Sequence, residues 1–329
     1  MINNIYIEDA VRLHPRTKSI TDRFPKASQI PIERYSTIFN RNHQNFRLQK
    51  KQPSLILAEK RNNLVLPTPL GYGIGKGQNF YFSHILNCLY DCRYCFLQGM
   101  YRSANYVLFI NYEDMQAEIA RQVSKSSNQD MYFFSGYDGD SLALDGITGF
   151  VDSFLPFFAK HRRAILELRT KSSALKPLLD RAPLDNVVVA YSFTPRVANM
   201  ELENGVPSNQ SRLRSICRLL ELGFRIGLRF DPLLYTKDYR KNYLELFRSI
   251  FSRLDGSKIH SVSFGPFRAP LSYFRKMRKL YPEEKLFAGL MEEKATVSYQ
   301  KDIELELQEF CGIELKQFVP ESIIFPCRG

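Results

Sequence analysis

The sequence predicts an α/β protein, an open, partial parallel β/α barrel flanked by N- and C-terminal extensions. Three observations predict it. From about residue 76, short β-rich runs alternate with segments whose apolar residues recur at helical spacing, the order expected of βα units feeding a parallel sheet. Five or six such units can be counted, too few to close an eight-stranded barrel. At 329 residues the chain is also longer than one such core needs, so extensions are expected around it.

Residues 1–75 are rich in Arg, Lys, Asn, Gln and Pro, with short apolar runs at 54–58 and 63–67, and read as an extension with little regular structure. The core is expected over 76–268. Its strand candidates are 79–84, 106–110, 131–135, 164–169, 186–193, 225–230 and 261–264. The segments 113–125, 147–161, 174–181, 211–222 and 239–254 between them have helical periodicity. In the C-terminal segment, 269–329, a helix is expected over 299–310 and a short strand over 322–326. No internal repeat or low-complexity stretch interrupts this order.

Hydrophobic residues at 44% and charged residues at 24% fit a soluble globular chain able to bury a core. No run of about 18 apolar residues is present, so no membrane span is expected. The start lacks the basic-then-apolar order of a secretory signal, and a cytoplasmic location follows as an expectation. A formal charge of +12 favours polyanions such as nucleic acid, although the basic residues are spread along the chain. Three of the six cysteines fall within eight residues, which points to metal binding in a reducing compartment and away from a disulfide framework.

That cluster is Cys88-Leu-Tyr-Asp-Cys92-Arg-Tyr-Cys95, just after the first core strand candidate. Three thiolates separated by three and then two residues can each reach a different iron of a [4Fe–4S] cube, leaving the fourth iron without a cysteine. An open coordination position lets a small molecule chelate it. This is the requirement for reductive cleavage of S-adenosylmethionine (SAM) to a 5′-deoxyadenosyl radical, chemistry that belongs to the cofactor while the protein supplies placement and shielding. The expected fold is thus the partial barrel of the radical SAM type. A structural zinc site is the competing reading and would need a fourth ligand, for which His84 is the nearest candidate. Cys217, inside a helical pattern, and Cys311 and Cys327 read as structural.

In such a barrel, functional groups belong at the C-terminal ends of the strands. One strand candidate ends in Ser135-Gly-Tyr-Asp138-Gly-Asp140-Ser, either polar groups facing a pocket or a plain βα turn. The next runs into Arg169-Thr-Lys171-Ser-Ser173, where the lysine could meet the SAM carboxylate and the serines could cap the following helix. Ser192 stands at another strand end, and Gly223 closes the helix after it as a C-cap glycine. Arg229-Phe-Asp231 offers a charge pair, either catalytic or satisfying itself. The cofactor-binding candidates are Tyr94, Asp138, Lys171, Ser192 and Asp231. The catalytic candidates are Tyr137 and Tyr94.

With these residues in view, the chain resembles the spore photoproduct lyase family of radical SAM DNA-repair enzymes over nearly its whole length. The resemblance is carried by 88–98, Asp140-Ser-Leu-Ala-Leu-Asp145, Arg169-Thr-Lys171, Ser192, Gly205-Val-Pro-Ser208 with Arg212, Gly223 to Pro232, and Tyr299-Gln-Lys301. It implies use of SAM to reverse a methylene-bridged thymine dimer in DNA, with Tyr94, Lys171 and Ser192 contacting SAM or supporting its site. Three departures bear on the dimer reversal and not on SAM cleavage. Tyr137 stands where the family carries a hydrogen-donating cysteine, Phe96 where it carries Tyr, and Lys-Ala-Thr-Val-Ser between Glu293 and Tyr299 where it carries a basic, Tyr- and Gly-rich stretch. Tyr137 could serve as the donor through its phenolic O–H, a stronger bond than S–H.

The expected partners are DNA and a reductant such as flavodoxin or ferredoxin. Two other functions fit the same residues: a radical SAM enzyme acting on a small molecule or peptide, and a non-catalytic nucleic-acid-binding protein with a structural metal.

Overall fold

The computed structural model describes residues 2–75, 77–125, 129–288 and 291–327. Its centre is an open sheet of parallel strands laid down in chain order: β1 (Gln78–Tyr81), β2 (Met131–Phe134), β3 (Ala164–Thr170), β4 (Val187–Ser192), β5 (Arg225–Leu233) and β6 (Ile259–Pro266). A seventh, β7 (Ile324–Pro326), adds in parallel beyond β6, and Leu66–Pro67 pairs antiparallel with β1 at the other edge. Helices α1 (Tyr112–Ser124), α2 (Phe150–Lys160), α3 (Lys176–Leu179), α4 (Asn209–Glu221), α5 (Tyr239–Phe251) and α6 (Lys301–Lys316) form the connections. The expected partial barrel is what forms.

β4, Val-Val-Val-Ala-Tyr-Ser, is buried at every residue. That is the mark of a strand covered on both faces, and β-branched valines suit it. The inside of the sheet is not purely apolar. Arg229 on β5 is fully buried and grips Glu167 on β3, with Nη2 donating to Oε2 at 2.7 Å and Nε to Oε1 at 3.3 Å. Its remaining donors reach the carbonyls of Leu228 and Ser261 and the Ser261 hydroxyl, and Arg169 Nε donates to Glu167 at 2.9 Å. Gly227 makes room, because a Cβ there would lie 2.8 Å from the Arg229 guanidinium. The Arg229–Asp231 pair does not form: period-two alternation puts both on one face, but Glu167, two strands away beyond β4, meets Arg229 across the inside of the sheet, and Asp231 faces Arg268 instead.

Burial opposes ionisation of Glu167, yet Arg229 and Arg169 hold it down to about 2. Because this lies below the unfolded value, the unfolded chain binds more protons between them, and stability falls with falling pH in that window. The contribution is complete above about pH 4.5 and is lost as pH approaches 2. Thermal melts from pH 6 to 2 should therefore show a steeper acid loss in the native chain than in Glu167→Gln, and parallel curves would refute the assignment.

Two expectations fail. Residues 1–75 are not irregular: Asn4–Glu8, Ser28–Ile32 and Leu55–Ala58 form a parallel sheet joined by Tyr106–Phe109 and Ile85–Leu86. Tyr106–Phe109, expected in the barrel, belongs to this second sheet. Its four residues are all buried, and a fully buried apolar run reads alike whichever sheet takes it. One face, with Ile5, Ile7, Leu55, Leu57, Tyr106 and Leu108, makes its own small core, while Ile56, Ala58, Val107 and Phe109 join the main one.

Smaller differences are local. The helix expected over 147–161 breaks at Gly149, which takes φ +59° between Asp145–Thr148 and α2. Gly223 does close α4, at φ +87°, its N–H donating to Leu220 O at 3.0 Å. Met291–Glu293 and Thr296–Tyr299 form a hairpin with Arg268–Pro270 alongside, so the segment that departs from the family's basic stretch still folds as an element. Among the described residues no helix is long and apolar enough to cross a membrane.

Candidate active site

The cysteine loop leaves the second sheet at Ile85–Leu86 and turns at Asn87, which adopts φ +68°, a conformation asparagine tolerates. The Asn87 amide fixes the turn by donating to the carbonyls of Ser103 at 2.8 Å and Asn105 at 2.7 Å. Asp91–Cys92 then pairs antiparallel with Glu203–Asn204, and Cys95 N–H donates to Cys92 O at 3.0 Å, turning the loop back on itself. From the N-terminal region Lys50 donates to Tyr90 O at 3.0 Å and to Cys88 O. Cys88, Cys92 and Cys95 thereby line one pocket of about 30 Å³, with Lys50, Phe46 and Tyr90 among its other walls.

These thiols are unpaired, and burial raises the pKa of all three, Cys92 to about 12 against the pull of Lys171. Lys171 Nζ lies 3.7 Å from Cys92 Sγ. Such thiols become thiolates when a cationic centre binds them. Among the described residues no three His, Cys, Asp or Glu side chains gather closely enough for a single ion. A cube spreads its ligands over several irons and asks for wider spacing. His84 does not join the pocket; its ring stacks on Phe150 at 3.9 Å, and full burial pushes it down to about 3. The four-ligand zinc site with His84 is not assembled.

The hub of the site is a residue the sequence reading passed over. Glu203 is buried and accepts on Oε1 from Lys171 Nζ at 2.8 Å, from Thr194 Oγ1 at 3.0 Å and from the Tyr94 hydroxyl. On Oε2 it accepts from Asn199 and from Arg212, both at 2.8 Å. Lys171 also donates to Tyr94 OH and holds its ammonium 4.7 Å above that ring. Burial disfavours both charges, but each stabilises the other, so Glu203 sits well below the carboxylate range while Lys171 is raised. Arg212, fully buried, donates to the carbonyls of Ser192 and Pro207 as well. The available signal was a charged residue in the same stretch as a later arginine, nine positions away, a spacing that no local rule flags.

The other candidates stand around the barrel's C-terminal rim. Asp140 accepts from the Leu142 and Ala143 amides at 3.0 and 2.9 Å, and also from Thr170 Oγ1 and Lys171 N–H, both at 2.7 Å. It is thus a turn cap that fixes the backbone from which Lys171 projects. Ser172 accepts from Ala174 N–H at 3.0 Å and makes a turn rather than capping α3. Ser192 is buried at the end of β4, its carbonyl held by Arg212. Asp138 is buried, with Oδ2 bonded to the Ser83 hydroxyl and Oδ1 without a partner, and burial raises its pKa. Tyr137 stacks on Tyr81 at 4.2 Å and stands 5.7 Å from Phe96, which places it beside the cysteine loop. Asp231 faces Arg268 at 3.8 Å.

A family model described as spore photoproduct lyase matches residues 1–322. The chain belongs to the spore photoproduct lyase family. Curated spore photoproduct lyases from a Geobacillus species and from Clostridium acetobutylicum are each 22% identical, over 60% and 63% of this chain. The chain spans 59% and 62% of the length of these relatives. Among solved structures, a mutant spore photoproduct lyase with bound AdoMet and dinucleoside spore photoproduct has a TM-score of 0.86 at 17% identity, covering 100% of this chain and 98% of that one. A spore photoproduct lyase complexed with dinucleoside spore photoproduct has a TM-score of 0.83 over the same shares. This likeness concerns the fold, and it extends over the whole of this chain, the N-terminal sheet included.

Proposed function

We propose that the protein is a radical SAM enzyme of the lyase type that acts on photodamaged DNA, with Cys88, Cys92 and Cys95 as ligands of a [4Fe–4S] cluster. The observation that carries this is the meeting of the three thiols in one pocket beside the Lys171–Glu203–Tyr94 network at the strand ends. Family membership and the photoproduct bound in the solved relatives support it. When bound, the cluster and SAM supply an adenosyl radical able to take a hydrogen atom from carbon.

The chain's own residues place and shield that chemistry. Lys171 presents a charge between Cys92 and Glu203, where it can meet the SAM carboxylate, with Tyr94 beneath its ammonium. Ser192, Asp138 and Asp231 border the space for the nucleoside part. Tyr137, stacked on Tyr81, walls the mouth next to Phe96. The division into 1–75, 76–268 and 269–329 fits this reading, the strands of 1–75 sharing a sheet with Ile85–Leu86 at the start of the cysteine loop. The substrate base is expected to leave its stack to reach the pocket, with the net charge of +12 holding phosphates. A flavodoxin or ferredoxin in the cytoplasm fits as the reductant.

Anaerobic reconstitution with iron, sulfide, SAM and dithionite should give 5′-deoxyadenosine in amounts that rise with ultraviolet-irradiated DNA and not with intact DNA. Affinity for that DNA should fall steeply with added salt. A flat salt response, or 5′-deoxyadenosine formation indifferent to irradiated DNA, would move the substrate to a small molecule or peptide. Protein that holds zinc without sulfide would leave only the non-catalytic reading.

A further inference from the structure

A carbon radical formed on the substrate has to be closed by a hydrogen atom, and the turn after β2 offers only the strong O–H bond of Tyr137. A thiol gives up hydrogen more readily. Three of the six cysteines line the cluster pocket, Cys217 lies on α4, and Cys311 packs from α6 into the main core. Cys327 is placed differently. It follows β7, its N–H donates to Phe264 O at 2.7 Å, and a Cβ added at Gly265 would fall 2.8 Å from its own Cβ.

Gly265 continues the alternation of Ser261 and Ser263 along β6, and the Ser261 hydroxyl meets Arg229 inside the barrel. The Cys327 side chain thus occupies the barrel's inner face at its C-terminal rim, in the space Gly265 leaves open. Two polar groups at this place make no hydrogen bond. Ser263 Oγ is buried without a hydrogen bond. Arg268, with a side chain 8% exposed, donates through Nε to Tyr72 OH and through Nη1 to Cys327 O at 3.3 Å. Its Nη2 has no hydrogen-bond partner and stands 3.8 Å from Asp231. Buried groups left unsatisfied beside a thiol mark a place prepared for a polar ligand.

We propose that Cys327 is the hydrogen-atom donor of the reaction, positioned by Arg268 on the inner face of the barrel against the bound substrate. The inference rests on the radical reading given above. In the step, the Cys327 S–H bond breaks homolytically and a C–H bond forms on the substrate, proton and electron travelling together, so the carbon is reduced and the sulfur left as a thiyl radical. The thiyl returns to thiol by taking one electron from the flavodoxin- or ferredoxin-type reductant, or from dithionite in the assay, and one proton from water, so 5′-deoxyadenosine accumulates. Burial, and next the Asp231 charge, push the Cys327 pKa up to about 12, so the S–H proton is present at neutral pH.

The first test uses the reconstituted enzyme with dinucleoside spore photoproduct in D2O. The native chain should place deuterium in the repaired product, while Cys327→Ala should still form 5′-deoxyadenosine and lose the deuterated product. Cys217→Ala, on α4, should still deliver deuterium. Equal deuterated product from Cys327→Ala and the native chain would overturn the proposal. If the native chain forms no 5′-deoxyadenosine, the failure lies with the radical reading. The second test needs neither cluster nor variant. In cluster-free native protein, dinucleoside spore photoproduct should slow alkylation of Cys327, read by peptide mass spectrometry, and leave Cys217 unaffected. Unchanged Cys327 alkylation at saturating photoproduct would count against the site.

Discussion

With Cys88, Cys92 and Cys95 replaced together by alanine, anaerobically purified protein is expected to show no iron–sulfur absorption and to form no 5′-deoxyadenosine. The effect should be complete, because no other thiol lines the pocket: its remaining walls are Phe46, Lys50, Asn87, Tyr90, Leu97 and Gln98. Fold should survive, since three buried thiols that carry a raised pKa are replaced by a side chain with nothing to ionise. Far-ultraviolet circular dichroism close to that of the native chain would separate loss of the cluster from loss of structure. Retained absorption in the triple variant would end the cluster assignment and the radical reading with it.

Glu203→Gln should cost about 3–5 kcal/mol of stability, the range found when one partner of a buried ion pair is removed. The carboxylate balances Lys171 and Arg212 at once, and a neutral amide leaves both cations uncompensated, Arg212 with no exposed side-chain surface. The amide also turns an acceptor of five donors into a group with two N–H bonds of its own facing other donors. Denaturant unfolding measures the loss. A change below about 1 kcal/mol, the scale of a surface pair, would show that water reaches the network. Because Glu203–Asn204 also pairs with Asp91–Cys92, cluster content after reconstitution should fall with stability.

How much of this was legible depended on how local each cause is. The cysteine spacing, the C-cap glycine at 223 and the strand-end position of Lys171 are set by residues close in sequence, and each was read directly. Glu203 and Tyr94 meet across 109 positions and Lys50 reaches Cys88 across 38, and nothing in either segment advertises the partner. Arg229 shows the same limit in another form: alternation tells which face it occupies, but its carboxylate lies 62 residues back on β3, with β4 between the two strands. The N-terminal strands were missed because each is short and set among polar residues, and Leu55–Ala58 gains its second partner only at Tyr106.

Ile85–Leu86, the step into the cysteine loop, has Ile85 in the small N-terminal core and Leu86 in the main one. The segment bearing the thiols is thus sewn into two hydrophobic bodies by adjacent stitches. Damage to either body, even far from the mouth of the barrel, would tug on that seam before the whole molecule unravels. The earliest symptom of a weakened variant would then be a paler preparation rather than an unfolded one.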